Sequence, residues 1–173
     1  MSKKTLLFGG SRGIGHEIFK NFSLRGDEII NFSRYKNKNK NNIKFEIGRD
    51  KANDLKKLIN FNFNYLIFSH RYRGNNDIEE YKIMVTEIEK ITDILLSKFK
   101  REASIVIIGS NASKYILSEQ LGSYHYVRGA IDTMVKYLAV KYGKLGIRVN
   151  SVLPCTIFKK ENIKFFKKEK KTI

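Results

Sequence analysis

Short apolar runs alternate with longer amphipathic stretches along most of this chain. The runs at 5–8, 28–32, 43–47, 65–69, 104–108 and 148–153 have strand length, and several are continuous and rich in β-branched residues. That composition suits strands covered on both faces. Between them, 13–24, 51–59, 78–99 and 123–142 carry apolar residues at helical spacing. In the third stretch Tyr81, Met84, Val85, Ile88, Ile91, Leu95 and Phe99 form a stripe that reads as core, not as a cofactor box. A polar Lys/Asn segment joins the second and third strands and reads as a loop or a poor helix. Strand–helix alternation of this kind predicts an α/β fold: a Rossmann-like, doubly wound parallel sheet of about six strands with helices on both faces. There is no internal repeat and no domain linker.

The first strand runs directly into Phe8-Gly9-Gly10-Ser11-Arg12-Gly13-Ile14-Gly15, which opens the first helical stretch. Glycines at a strand-to-helix turn let the backbone turn tightly and approach a ligand closely, while the helix start offers free N–H groups to a phosphate. The turn is therefore a candidate cradle for a dinucleotide pyrophosphate, formed by Gly9, Ser11, Arg12, Gly13, Ile14 and Gly15. After the second strand come Ser33 and Arg34, where a cofactor with a free ribose 2′-hydroxyl would call for an acidic residue. With Arg12 in the glycine turn, two guanidinium groups would suit a 2′-phosphate. NADP, with NADPH preferred over NADH, is the expected cofactor.

Charge changes the picture less than its size implies. The chain has 34 Lys and Arg against 17 Asp and Glu, a net +17. Lys and Asn are abundant throughout, however, and the basic clusters at 35–42 and 159–171 fall in a loop and a tail. The basic loop lacks the interleaved aromatics of a stacking platform, so no specific nucleic-acid partner is expected, only weak, salt-sensitive adhesion to polyanions. The single cysteine, Cys155, excludes an intramolecular disulfide and agrees with a reducing, cytoplasmic compartment. The apolar runs are too short to span a bilayer, and Met1-Ser2-Lys3-Lys4 leads into a strand instead of a signal-peptide core, so no membrane association is expected. His16, His70 and His125 have no ligand spacing, and no metal is expected.

Two further segments carry candidate chemistry. The fifth strand ends at Gly109-Ser110-Asn111-Ala112-Ser113, placing Ser110 at the carboxyl edge of the sheet, where ligands of such folds bind. The fourth helical stretch opens Ser123-Tyr124-His125-Tyr126-Val127-Arg128-Gly129-Ala130, with Tyr124 and Arg128 four apart on one face. Tyrosine ordinarily titrates near pH 10 and needs a neighbouring cation to exchange protons at neutral pH. Alone, the pair would read as a tyrosine and an arginine stacked on a helix surface.

Together with Gly146-Ile147-Arg148-Val149-Asn150-Ser151-Val152-Leu153-Pro154, these motifs occur in the order found in short-chain dehydrogenases/reductases, which the chain resembles up to Pro154. The resemblance implies that Ser110 and Tyr124 bind the substrate oxygen and that Tyr124 exchanges a proton while nicotinamide exchanges hydride. It places Arg128 where the family has a lysine that serves tyrosine and ribose. Arginine keeps the charge but is planar and effectively never deprotonated, so it suits charge stabilisation and not a proton relay. The resemblance also places Phe68, Ser69 and Pro154 at the cofactor. It implies a small-molecule substrate and a homo-oligomer through the helices at 78–99 and 123–142.

The departures are concentrated at the relay. Phe68-Ser69-His70-Arg71 stands for the family's Asn-Asn-Ala-Gly, Met84 for its helix asparagine, and Phe8 for the threonine before the first glycine. Tyr137 and Lys141 repeat the tyrosine–lysine spacing but lie about 20 Å further along the same helix, and read as ordinary helix residues. The expected organisation is an NAD(P)-binding domain over 1–157 and a basic tail over 158–173, helical or disordered. Family members carry a further loop, helix and strand after the sixth strand. Without them the sheet edge would need a partner chain to cover it, or leave the product marginally stable. The function expected is an NADP-dependent oxidoreductase interconverting a carbonyl and a secondary alcohol. The competing readings are a catalytically impaired dinucleotide-binding or regulatory homologue, and a polyanion-binding protein.

Overall fold

The computed structural model describes residues 2–35 and 40–157. A six-stranded, wholly parallel sheet has the order β3-β2-β1-β4-β5-β6. Its strands are β1 (Lys4–Phe8), β2 (Glu28–Ser33), β3 (Asn42–Lys44), β4 (Phe63–Phe68), β5 (Phe99–Ile108) and β6 (Arg148–Val152). The chain winds outward from β1 in one direction and from β4 in the other. The gap between their carboxyl ends is therefore the switch point where such sheets bind ligands.

Alternation along the strands sorts side chains onto two unequal faces. Leu6, Phe32, Leu66, Ile105, Ile107 and Val149 pack into the larger core with Ile88 and Ile91 of α4 (Glu87–Ile94) and Val127, Ile131, Val135 and Leu138 of α5 (Gly122–Gly143). Leu55 of α2 (Leu55–Leu58) joins them. On the other face Leu7, Ile29 and Ile67 meet Ile18, Phe19 and Phe22 of α1 (Gly13–Leu24). The polar 34–41 crossover has no helix among its described residues, and 36–39 and the 158–173 tail lie outside them.

Three elements differ from the sequence expectation. The third strand stops at Lys44, because a turn tied by Asp50 to the Glu46 backbone N–H takes over; Phe45 and Ile47 are buried beyond it all the same. The helix expected over 51–59 is a 3-10 turn, Ala52–Asp54, followed by the single turn of α2. The helix expected over 78–99 is α3 (Asp77–Tyr81), a π-helical segment Lys82–Thr86, and α4. Its stripe is core from Met84 to Leu95, whereas Tyr81 is 49% exposed and Phe99 opens β5, edge-on to Phe63. Phe63 pairs with Phe99 but Tyr65 pairs with Ser104, so β5 bulges by three residues there.

Candidate active site

The glycine turn is fixed by what surrounds it. Gly9 has φ +95° and lies so close to the end of β4 that a Cβ would fall 2.5 Å from the His70 nitrogen. A Cβ on Gly15 would strike the Gly9 carbonyl oxygen. Gly10 donates its N–H to Asn31 Oδ1 at 2.7 Å, and the Asn31 amide donates to Asn42 Oδ1. Asn31 and Asn42, neither singled out by the sequence, thus tie the turn to β2 and β3. The signal for Asn31 was a polar residue inside an apolar strand; Asn42, at the start of β3, carried none. Arg12 precedes α1 with an extended backbone; no side chain caps the helix and its first turn carries no acidic residue. Its leading N–H groups are left for an anion.

Below the turn lies an aromatic floor. Phe8 stacks on Phe32 at 4.8 Å and on Phe68 at 5.1 Å, and Phe45 meets Phe8 and Phe32 edge-on. Phe8 and Phe68 are both departures from the family pattern, and they face each other across β1 and β4. Each such pair is worth about 1 kcal/mol beyond burial. Phe68 is accordingly core, 1% exposed, and its side chain does not line the cleft; buried Gly15 likewise acts by allowing the turn.

Two cavities of about 450 and 590 Å³ lie across the carboxyl ends of the strands, sharing Arg12, Ser69, His70, Arg71 and Arg73. They form one cleft. Its first half is lined by Gly9, Ser11, Phe32, Ser33, Arg34, Phe45 and Ile47. Its second half is lined by Gly13, Ile14, Ser110, Tyr124, Arg128, Pro154 and Cys155. Residues from opposite ends of the chain, separated by over a hundred positions, are thereby brought together.

In the first half positive charge predominates: five arginines line it with Glu46 and Glu79. Arg49 pairs with Glu46 at 3.4 Å, but among the described residues Arg12, Arg34, Arg71 and Arg73 have no carboxylate partner. Desolvation, then the neighbouring Arg12, Arg71 and Arg34, pull the Arg73 guanidinium below its ordinary pKa. Ser33 is 8% exposed, its hydroxyl placed to donate to the Tyr35 carbonyl or Asn42 Oδ1, each at 2.9 Å.

The second half is built from α5 and the turn after β5. His125, buried at the start of α5, donates from Nδ1 to the Ala112 carbonyl at 3.0 Å and accepts the Leu117 N–H at Nε2. That fixes α5 against the Asn111–Ser113 turn, where Ser110 Oγ accepts the Ala112 N–H at 3.2 Å. The Arg128 guanidinium lies 4.6 Å from the Tyr124 ring centre and Arg71 lies 5.8 Å from it. Tyr124 Oη has no hydrogen-bond partner among the described residues. Arg128, 4% exposed, pairs with Glu80 of α3 at 3.6 Å, yet its Nε has no partner. The pairing with Glu80 was not visible in the sequence, because it joins two separate helices.

His70 sits where the halves meet. Its Nε2 donates to the Ile83 carbonyl in the π-helical segment at 3.3 Å, and its Nδ1 is buried without a partner. Burial holds its pKa down at about 4; the Ile83 bond opposes this and the Arg128 charge adds to it. The ring is therefore neutral at pH 7, with the Nδ1 lone pair bare. Met84 is core at 1% exposure, and Tyr137 and Lys141 are outside the cleft, with Lys141 paired to Asp93 and Glu89. Among the described residues no His, Cys, Asp or Glu cluster could hold a metal, and no helix is long and apolar enough to cross a membrane.

Comparison with known proteins agrees with this architecture. A family model described as enoyl-(acyl carrier protein) reductase matches residues 82–172, just over half of the chain. An uncharacterized oxidoreductase of Schizosaccharomyces pombe is 25% identical over 197 residues, spanning 97% of this chain and 68% of that protein. A short-chain dehydrogenase family protein from Francisella tularensis superposes with a TM-score of 0.76 at 24% identity, covering 99% of this chain and 77% of that one. A short-chain dehydrogenase/reductase from Brucella ovis, in complex with a partially ordered NAD, does so with a TM-score of 0.70 at 20% identity, covering 89% and 83%. The chain belongs to the short-chain dehydrogenase/reductase family of oxidoreductases. Members use nicotinamide dinucleotides, act on small molecules and are typically oligomeric.

Proposed function

We propose that this protein is an NADP-dependent oxidoreductase that interconverts a carbonyl and a secondary alcohol on a small molecule. The observation that carries the cofactor choice is the trio Arg12, Arg34 and Arg73, crowded together and without a carboxylate partner among the described residues, where β2 ends in Ser33 and not in an acid. The residues fit the group: Gly9 and Gly15 leave room only for hydrogen, and the uncapped start of α1 points N–H groups at a diphosphate. Arg34, with Ser33 and Arg12, takes the 2′-phosphate, whose two charges a forked guanidinium matches. Gly9, Ser11, Arg12, Gly13 and Ile14 hold the diphosphate; Ser69 and Pro154 border the nicotinamide, and Phe68 and Gly15 support from beneath.

When bound there, a reduced nicotinamide would supply hydride to the substrate carbon. Ser110 and Tyr124 hold the substrate oxygen between their hydroxyls, and Tyr124 Oη gives it the proton. Arg128 stabilises the tyrosinate that remains and contacts the ribose. Arginine does not release a proton at any working pH, so the proton returns to Tyr124 from solvent through the cleft. A second reading has one observation in its favour: the Glu80 carboxylate offsets the Arg128 charge at 3.6 Å, as a binding protein without turnover would tolerate. We place the protein in the cytoplasm, as its exposed free thiol Cys155 suits a reducing compartment, and pair copies through the α3–α4 region within 78–99 and through α5.

The cofactor assignment is checked by fluorescence titration with NADPH and NADH. NADPH binds at least about tenfold tighter, and Arg34→Asp reverses or abolishes that preference. Binding of neither nucleotide sinks the reading, and an unchanged ratio removes Arg34 from the site.

A further inference from the structure

Arg12, Arg34 and Arg73 account for the anionic end of the cofactor in the reading above; Arg71 is left over, and although it neighbours Arg73 it also reaches the other half of the cleft. Its guanidinium lies on the Tyr124 side, 5.8 Å from that ring, and it lines both halves of the cleft. It is exposed and has no carboxylate partner among the described residues. The segment that follows it is tied down. Tyr72 Oη donates to the Glu79 carboxylate at 2.8 Å and accepts the Asn76 N–H at 3.2 Å, and Asn76 Oδ1 accepts the Glu79 N–H at 2.9 Å. A second guanidinium reaches the same space: Arg128 is 4% exposed, its Nε is buried without a partner, and Glu80 engages only its Nη2. Glu119 is the one carboxylate that lines this half, and it pairs with neither arginine.

Resting on the oxidoreductase reading, we propose that the substrate is an oxo acid. Its carboxylate is gripped by Arg71, one or two carbons from the carbonyl that Ser110 and Tyr124 hold. An unpaired guanidinium in a cleft binds a carboxylate through two parallel N–H···O bonds, which fixes orientation as well as charge. A neutral ketone offers Arg71 no charge to pair with and gains nothing from it. Arg71 is thus the residue that selects acid over ester.

The test uses the protein saturated with NADPH. Pyruvate and acetoacetate are titrated against methyl pyruvate and methyl acetoacetate, with NADPH fluorescence as the signal. At least one acid binds about tenfold or more tighter than its own ester. Arg71→Gln erases that preference, and Arg71→Lys retains part of it, because the charge survives while the fork is lost. Melting curves confirm that these exposed-site variants stay folded. Acid and ester binding alike, neither binding below about 10 mM, or a preference that survives Arg71→Gln overturns the proposal. Dihydroxyacetone phosphate outcompeting both acids overturns the carboxylate assignment. A protein that takes up no NADPH fails at the earlier titration, so loss of the cofactor reading and loss of this one are told apart.

Discussion

The two halves of the cleft are made from different materials. The first is set by Gly9, which admits no Cβ, and by an aromatic floor, with arginines along its border. The second is mostly side chains drawn from α3, α5, the turn after β5 and the segment after β4. A backbone cradle survives replacement of almost everything around it, and so the glycines persist while Phe8 and Phe68 depart from the family together. A site of side chains has no such insurance. There Arg128 is held by Glu80 from another helix, so a change at either residue disturbs the other.

Three perturbations test whether the halves are separable. Gly9→Val should have the largest effect, because it demands an L side chain at φ +95° and a Cβ 2.5 Å from the His70 nitrogen. A loss of about 3 kcal/mol or more in urea unfolding, together with NADPH binding, is expected. Tyr124→Phe should lower kcat by about 10²- to 10⁴-fold while NADPH affinity stays within about twofold. Comparable losses in both quantities would mean that the halves are not separable. If the wild-type protein binds NADPH and never turns over, the reading as a binding protein replaces the catalytic one.

The third acts at the seam. The His70 pKa is about 4 in the folded protein against an ordinary 6.5, so the unfolded chain binds more protons between those values. Stability is complete above pH 6.5 and is lost as pH falls toward 4. Lowering the pH from 7 to 4.5 should cost about 2 kcal/mol through this residue alone. His70→Gln keeps a donor for the Ile83 carbonyl and cannot titrate there. Its urea midpoint should fall less than that of the wild type over the same range, and parallel curves would show that His70 is protonated freely.

How much was legible in advance varies along the chain for local reasons. The glycine turn, five of the six strands and the first and last helices follow from periodicities and dihedral demands that a few consecutive residues satisfy by themselves. The crossover from β3 to β4 and the helix before β5 did not follow so cleanly. The stripe from Tyr81 to Phe99 fits one continuous helix, but the chain takes a π-helical turn over Lys82–Thr86, and pairing with Phe63 draws Phe99 into a strand.

Sequence alone therefore determined the doubly wound sheet, the nucleotide turn, and the candidacy of Ser110, Tyr124 and Arg128, because each rests on short-range pattern or on a motif in fixed order. Tertiary structure decided the rest: Glu80 against Arg128, His70 neutral with a bare Nδ1, Phe68 in the floor and Arg71 beside Tyr124. These depend on which segments meet at the carboxyl ends of the strands. Contacts between residues dozens of positions apart have no period in the sequence to give them away.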